Sequence, residues 1–531
     1  MKPFASDHTL DPFFAAAALS ILAVACVLAG CSDDAPKPPG SGTSDAAVTM
    51  DGASGVDGAG APEDASVSDD AGARDASGSG DAGDAGDAGD AGTQDAAPVA
   101  SSCTLTTCAF ALADDVLDGL TDRSTTDVVL LDADRDRDID VLWVSQQGFA
   151  DNDPPGGLDL SRNVGGGRFT HGVVDATETW FYGVAADVDG DGASDVVVSR
   201  AATTARQIGL FMSKGDGTFE FDADAVPSLP ACATSPCVAA PESDNGYVFG
   251  RVAAGDVDLD GDVDLLVPIA IDTNLLLQQE AKGRPNALLI NDGMGSFTRD
   301  DARLPSLTSD RDGTFCVALA DFTGDGAVDI FAGSGLSRPR LLVNVEASGK
   351  YGQFVDQSED DGDGVARIPE GILRAFKCGV DDFDADQDLD VVVVSDVYAQ
   401  EGTFVPTPAY LFRNDGTGHF VSTALPFPEG GPYDNQDTAL GDLNNDGLID
   451  IVISNNAETL THNGHAIEIL LQQPDGSFAQ VEDTVSLPDN VFGVELMDID
   501  LDGRLDIVAA VSKYDAAGPG GLSNHILLQV P

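Results

Sequence analysis

From about residue 102 onward the chain is a succession of short apolar runs, each closed by glycine, asparagine or aspartate. One kind is β-branched and unbroken: "VVVS" at Val196–Ser199, "LLVPIA" at Leu265–Ala270, "IVIS" at Ile451–Ser454 and "IVAAVS" at Ile507–Ser512. Another ends in asparagine, as in "ALLIN" at Ala287–Asn291 and "YLFRN" at Tyr410–Asn414. A glycine turn and a phenylalanine follow: "GGGRF", "GDGTF", "GMGSF", "GTGHF" and "PDGSF". Runs of this length between turn signals predict strands, and no segment after the first thirty residues sustains a helical period. Four such runs recur in each unit, here called strands A to D.

The units are marked by a nine-residue acidic motif between A and B. Its seven copies begin at Asp132, Asp187, Asp256, Asp321, Asp382, Asp442 and Asp498, spaced by 55, 69, 65, 61, 60 and 56 residues. Seven four-stranded units in residues 102–531 predict an all-β fold, a seven-bladed β-propeller of four-stranded blades. The ends predict ring closure. The last unit stops at "HILLQVP" without its fourth strand, while "TLTTCAFAL" (Thr104–Leu112) precedes strand A of the first as a spare. Closure of that kind would remove the exposed sheet edges of a linear array.

Within each acidic loop, oxygens at positions 1, 3, 5 and 9 can converge on one hard cation, and glycine at position 6 allows the chain to turn sharply. The expected ligands are Asp132, Asp134, Asp136 and Asp140; Asp187, Asp189, Asp191 and Asp195; Asp256, Asp258, Asp260 and Asp264; Asp321, Thr323, Asp325 and Asp329; Asp382, Asp384, Asp386 and Asp390; Asp442, Asn444, Asp446 and Asp450; and Asp498, Asp500, Asp502 and Asp506. The expected cofactor is Ca2+ at up to seven sites. Four sites should be strong, those starting at Asp187, Asp256, Asp442 and Asp498. In the others Thr323 is a poorer ligand, and Arg137 and Gln387 replace the glycine. An EF-hand would require glutamate at position 12 and flanking helices; here that position holds Val198, Val267 and Ala332 in the second to fourth copies.

These motifs, with "VFG" at Val248–Gly250 and Val491–Gly493, resemble the FG-GAP/VCBS repeats of integrin-alpha-like propellers and bacterial surface proteins. The resemblance implies a calcium-binding propeller over all seven repeats. It carries the metal positions over as the first, third, fifth and ninth residues of each loop.

Composition then adds an envelope to the propeller. Acidic residues outnumber basic ones 91 to 26, a net charge of −65, which excludes nucleic acid and anionic membrane surfaces as partners. Phe13–Gly30 is apolar and ends in "LAGC", which resembles a bacterial lipobox. Residues 1–31 are thus expected to be a signal peptide with Cys31 lipidated, and Ser32 favours the outer membrane or cell surface. Residues 32–101, with 15 acidic and 2 basic side chains between Ser32 and Ala100, predict a disordered Ala/Asp/Gly linker. Six cysteines remain as disulfide candidates: Cys103 and Cys108, Cys232 and Cys237, and Cys316 and Cys378, the last two similarly placed in successive repeats. His462 and His465 are too few to argue for a metal.

The B–C and D–A connections vary widely in length, including Gln146–Leu160, Ala225–Tyr247, Gln357–Ala375 and Tyr398–Pro408. Variable loops on a rigid scaffold commonly carry recognition. Trp180, Phe181, Tyr182, Tyr247, Tyr398 and Tyr433 lie near that side, where they could stack on sugars or pack inside the fold. The expected function is an exported, membrane-anchored, calcium-binding module for a protein or glycan ligand, acting in binding or adhesion. The alternatives are a propeller-based polysaccharide-active enzyme and a purely structural envelope protein. No nucleophile, zinc or phosphate-loop motif favours the enzyme.

Overall fold

Strand B reads as an unbroken apolar run because it is buried on both faces. Val141, Leu142, Trp143 and Val144 are all 1% exposed or less, and alternate residues belong to different hydrophobic clusters. The computed structural model describes residues 103–530 apart from 105–107, 118–119, 121–122, 147–155, 201–206, 228, 230–246, 273–285, 307–312, 335–336, 360–365, 370–374, 396–397, 401–402, 406–407, 427–434, 456–465, 483–486, 488–489 and 513–523. The expected signal peptide with Cys31, the linker, Cys232, Cys237, His462, His465 and Tyr433 lie outside the described residues.

Seven four-stranded antiparallel sheets form the blades. Strands A to D are Ser124–Leu131, Asp140–Gln146, Gly157–Asn163 and Phe169–Asp175 in blade 1, and Tyr182–Ala186, Asp195–Ser199, Ile208–Ser213 and Phe219–Asp222 in blade 2. Blade 3 is Ala253–Gly255, Asp264–Val267, Ala287–Asn291 and Phe297–Arg299; blade 4 is Thr314–Ala320, Asp329–Ser334, Arg340–Ala347 and Lys350–Asp356. Blade 5 is Ala375–Asp381, Asp390–Ser395, Tyr410–Asn414 and Phe420–Ala424; blade 6 is Asn435–Gly441, Asp450–Asn455, Ile467–Gln472 and Phe478–Gln480. Blade 7 takes strands A to C from Asn490–Met497, Asp506–Ser512 and His525–Gln529, and its fourth from the N-terminal side of the domain, Phe110–Leu112. The spare strand therefore closes the ring, with Phe110 opposite Gln529 and Leu112 opposite Leu527.

The core is divided among the seams. Seven hydrophobic clusters each join one blade to the next, from blades 1 and 2 around to blades 7 and 1. Phenylalanines crowd the seam of blades 4 and 5, where Phe331 meets Phe412 and Phe420 edge-on at 5.5 and 5.7 Å. Trp180 and Phe181 are 0% and 2% exposed, so they belong to this packing and not to an open surface. Two further hairpins add to the blades. The run "LLVPIA" is broken at Pro268, beyond which Ile269–Asp272 pairs with Tyr247–Phe249, and Tyr398–Gln400 pairs with Thr403–Val405 inside the B–C connection of blade 5. A proline lacks the N–H a central ladder needs, which explains the break.

Strands A touch all round and form the inner ring. The residue five before each acidic loop sits at one register position: Asp127, Tyr182, Arg251, Cys316, Lys377, Asp437 and Gly493. From blade 3, Arg251 reaches across the ring to Asp127 of blade 1 (2.8 Å) and Asp437 of blade 6 (2.5 Å), and its guanidinium lies 5.2 Å from the Tyr182 ring centroid. Lys377 completes the network, 2.6 Å from Asp437 and 3.8 Å from Glu495. Burial holds the Asp127 carboxyl above its ordinary value while Arg251 and Lys377 pull it back. Asp127 and Asp437 also accept the N–H of Gly183 and Val494 on the next blade. Between blades 4 and 5 the same relation is made covalently by the Cys316–Cys378 disulfide. The Cys103–Cys108 disulfide lies in the cluster between blades 6 and 7, with Gln529 Nε2 3.2 Å from Cys103 Sγ.

Two stability predictions arise from these buried charges. Arg251→Met takes the closest ion-pair partner from the wholly buried Asp127 and leaves Asp437 with Lys377, and should cost about 3–5 kcal/mol in denaturant unfolding; a loss under about 1 kcal/mol would show that the network contributes little. Glu468, 2% exposed on strand C of blade 6, has the Gln480 amide 3.1 Å away, and burial pushes its carboxyl from 4.5 to about 7. A raised folded-state value means that stability falls as pH rises from about 4.5 to about 7, by roughly 3 kcal/mol. Glu468→Gln should flatten that decline; equal pH slopes for the two proteins would refute it.

Candidate functional site

The seven acidic loops share one geometry, and its centre is a residue that sequence reasoning passed over. Position 2 of each loop is Ala133, Val188, Val257, Phe322, Phe383, Leu443 or Ile499, all 2% exposed or less. Each packs into the seam shared with the following blade. Its N–H donates to one oxygen of the position 9 aspartate, the first residue of strand B, at 2.9–3.2 Å. The other oxygen of that aspartate accepts the N–H of a strand C residue: Asn163, Ser213, Asn291, Asn344, Asn414, Gln472 or Gln529, at 2.7–2.8 Å. Asp140, Asp195, Asp264, Asp329, Asp390, Asp450 and Asp506 thus tie loop, strand B and strand C of their own blade together.

Position 1 organises the rest of the loop. Its two oxygens accept the N–H groups of positions 5 and 6 in every copy, as Asp187 does from Asp191 and Gly192 at 3.1 and 2.8 Å. The chain achieves this by taking left-handed conformations at two positions, 4 and 6. Position 6 has φ between 75° and 97°, including the non-glycines Arg137 (75°) and Gln387 (77°). Position 4 has φ between 56° and 71° and is Arg135, Gly190, Leu259, Gly324, Ala385, Asn445 or Leu501. Only position 6 was legible from glycine usage.

Carboxylates converge as expected in several copies. Ligand oxygens lie within 4.8 Å of one another for Asp187, Asp189 and Asp195, for Asp256, Asp258 and Asp264, and for Asp498, Asp500 and Asp506. In the first and fifth loops the converging set is instead positions 1, 3 and 5: Asp132, Asp134 and Asp136, and Asp382, Asp384 and Asp386. The loops with Thr323 and Asn444 carry three carboxylates each, and Thr323 Oγ1 donates to Asp329 at 3.0 Å. Burial raises the position 9 carboxyls most, Asp195 to about 6 and the other six to about 7, against the pull of their backbone N–H bonds. Burial first and neighbouring carboxylates second also raise Asp134, Asp384 and Asp500.

The donor set fits a hard divalent cation. It is all oxygen, and at position 3 the buried Oδ1 atoms of Asp134, Asp258 and Asp500 accept no hydrogen bond. The fit is graded by arginines that the sequence did not reveal as partners. Arg162, Arg303 and Arg413 approach position 3 carboxylates Asp134, Asp258 and Asp384 at 3.4, 2.8 and 3.9 Å. Arg135 pairs with Asp191 of the next loop at 2.6 Å, and Arg504 pairs with Asp502. Among the described residues, the loops beginning at Asp321 and Asp442 have no such arginine.

A model of the FG-GAP-like repeat matches residues 187–267 and 382–453, stretches that begin at the first aspartates of the second and fifth loops. The chain is a seven-bladed propeller that carries FG-GAP-like repeats in these two stretches. The crystal structure of BBS1N in complex with ARL6DN, soaked with lead, is 11% identical over 81% of this chain and 98% of that one, with a TM-score of 0.40. No curated protein matches the chain. The FG-GAP propeller fold points to a binding or structural module and is typically non-catalytic. A Ser–His contact does occur, Ser161 Oγ to His171 Nδ1 at 2.8 Å, but Ser161 is wholly buried and also takes the Trp143 indole N–H. It ties strand C to strand D.

Left-handed backbone at a non-glycine residue costs roughly 1–2 kcal/mol, offset in part by the entropy a new glycine adds to the unfolded chain. Leu501, 71% exposed, has little packing to lose. Leu501→Gly and Gln387→Gly should each stabilise the FG-GAP propeller by about 0.5–1 kcal/mol in equilibrium unfolding. Destabilisation by both would contradict the strain at these positions.

Proposed function

We propose that this FG-GAP propeller is a calcium-loaded binding module of a bacterial envelope, exported and lipid-anchored through Cys31 and carried on the linker of residues 32–101. The observation that carries the calcium reading is the set of buried position 3 oxygens without donors, set among two or three further carboxylates per loop. Positions 1, 3, 5 and 9 of each loop would hold the ion, and Ca2+ would supply the positive charge that four crowded oxygens lack. The loop beginning at Asp442 combines three carboxylates, Asn444 and a glycine at position 6, with no arginine paired to it among the described residues.

The ligand-binding surface is proposed on the face opposite these loops. Its support is the length and variability of the B–C and D–A connections in the sequence, set against the uniform A–B and C–D turns. A protein or glycan ligand fits a fold used for binding, and the net charge of −65 argues for a partner other than nucleic acid.

Calcium that binds only the folded state stabilises it by mass action, about 2.7 kcal/mol per site at a hundred times Kd. The full chain melted in millimolar calcium should therefore unfold several degrees higher than in chelator. A melting temperature that does not move would falsify the calcium reading.

A further inference from the structure

The carbonyl of position 2 points out of its own blade. Val188 O accepts a bond from Asn291 Nδ2 at 2.8 Å, Val257 O from Asn344 Nδ2 at 2.8 Å, and Phe322 O from Asn414 Nδ2 at 2.9 Å. Phe383 O accepts from Gln472 Nε2, and Leu443 O from Gln529 Nε2 at 2.9 Å. In every case the amide belongs to strand C of the following blade. It is also the residue whose backbone N–H binds the position 9 aspartate there. Blade 2 has Ser213 at this place, too short to reach, and the backbone N–H of Gly217 takes Ala133 O at 2.9 Å instead. Asn163 of blade 1 donates no such bond to Ile499 among the described residues; its Oδ1 accepts the Gly165 N–H.

We propose that these amides are positioning residues that couple each cation loop to the next blade, so that an ion bound in one loop tightens the seam beyond it. The inference rests on the calcium reading above. Position 2 lies between two ligand positions, its N–H is fixed by a third, and its side chain fills the seam, so the direction of its carbonyl is set by the order of the loop. The amide that receives it is in turn fixed by the position 9 aspartate of its own loop. The contacts therefore run loop to seam to loop around five of the seven seams. Linkage makes the coupling reciprocal: a loop held by its clamp binds the ion more tightly, and a loop holding the ion clamps more firmly.

The test uses the full chain with Ca2+ as the probe. Asn344→Ala with Asn414→Ala removes two clamps, Asn163→Ala removes the equivalent side chain where no clamp exists, and Asn414→Gln restores an amide of the kind used in blades 6 and 7. The readouts are the calcium-induced rise in melting temperature and the hydrogen-exchange protection that calcium adds at the seam between blades 4 and 5. The double variant should lose at least half of the rise and the added protection at that seam. Asn163→Ala should keep both, and Asn414→Gln should retain protection there. A purely structural role would lower the melting temperature equally with and without calcium and leave the difference intact; that result, in a parent protein that responds to calcium, overturns the coupling alone. A parent that ignores calcium overturns the calcium reading and the coupling with it. Should the double variant fail to fold, Asn414→Gln and single Asn414→Ala are compared by the same exchange experiment, and equal calcium-added protection in the two overturns the proposal.

Discussion

The aspartate at the start of strand B is the constraint on which the blades depend. It is buried in all seven, and each of its oxygens is fixed by a backbone N–H, one from the loop before it and one from strand C beside it. A carboxylate in such a place is costly unless its oxygens are satisfied. The loop therefore folds so as to aim position 2 at it, and that demand sets the two left-handed turns at positions 4 and 6. Once position 2 is held, its apolar side chain drops into the seam and its carbonyl faces the neighbouring blade. One acid thus links the local turn, the sheet and the packing between sheets.

Sevenfold repetition ends at the inner ring. There the same register position carries aspartate twice, arginine, lysine, tyrosine, cysteine and glycine. Arg251 can bridge Asp127 and Asp437 only when blades 1, 3 and 6 face one another across a closed ring. A network of this kind rewards one arrangement of blades over its shifted alternatives, which identical repeats could not distinguish. The exchange of Phe110–Leu112 into blade 7 acts to the same end by joining the two ends of the domain in one sheet.

What the sequence made legible was whatever repeats with its own chemistry. The motif spacing, the doubly buried strand B, the converging acids and the spare strand all leave local signatures, and the fold could be assembled from them. Position 2 left none, because alanine, valine, phenylalanine, leucine and isoleucine there look like any apolar residue. Position 4 was hidden by its occupants: two glycines among arginine, two leucines, alanine and asparagine do not suggest a shared left-handed turn. The asparagines closing "ALLIN" and "YLFRN" gave no sign of their partners, which lie 103 and 92 residues away. The arginines were invisible as partners for the same reason: Arg135 meets Asp191 and Arg303 meets Asp258 only after blades and turns are in place.

The crowding of like charge in these loops is relieved by three devices visible in the protein itself. Backbone N–H groups saturate positions 1 and 9; arginines stand against position 3 or position 5 in five loops; and burial shifts the position 9 carboxyls towards neutrality. Each device has a reach. Backbone N–H groups are fixed in number, an arginine approaches from outside the loop, and burial lifts the acid at the start of strand B further than Asp134, Asp384 and Asp500 at position 3. At position 3 the buried Oδ1 atoms of Asp134, Asp258 and Asp500 still accept no hydrogen bond. Asp258 shows it most clearly: Arg303 holds one oxygen at 2.8 Å while the other, buried in the loop, receives nothing. The remaining demand is therefore for positive charge inside the loop, at a point that no side chain among the described residues supplies.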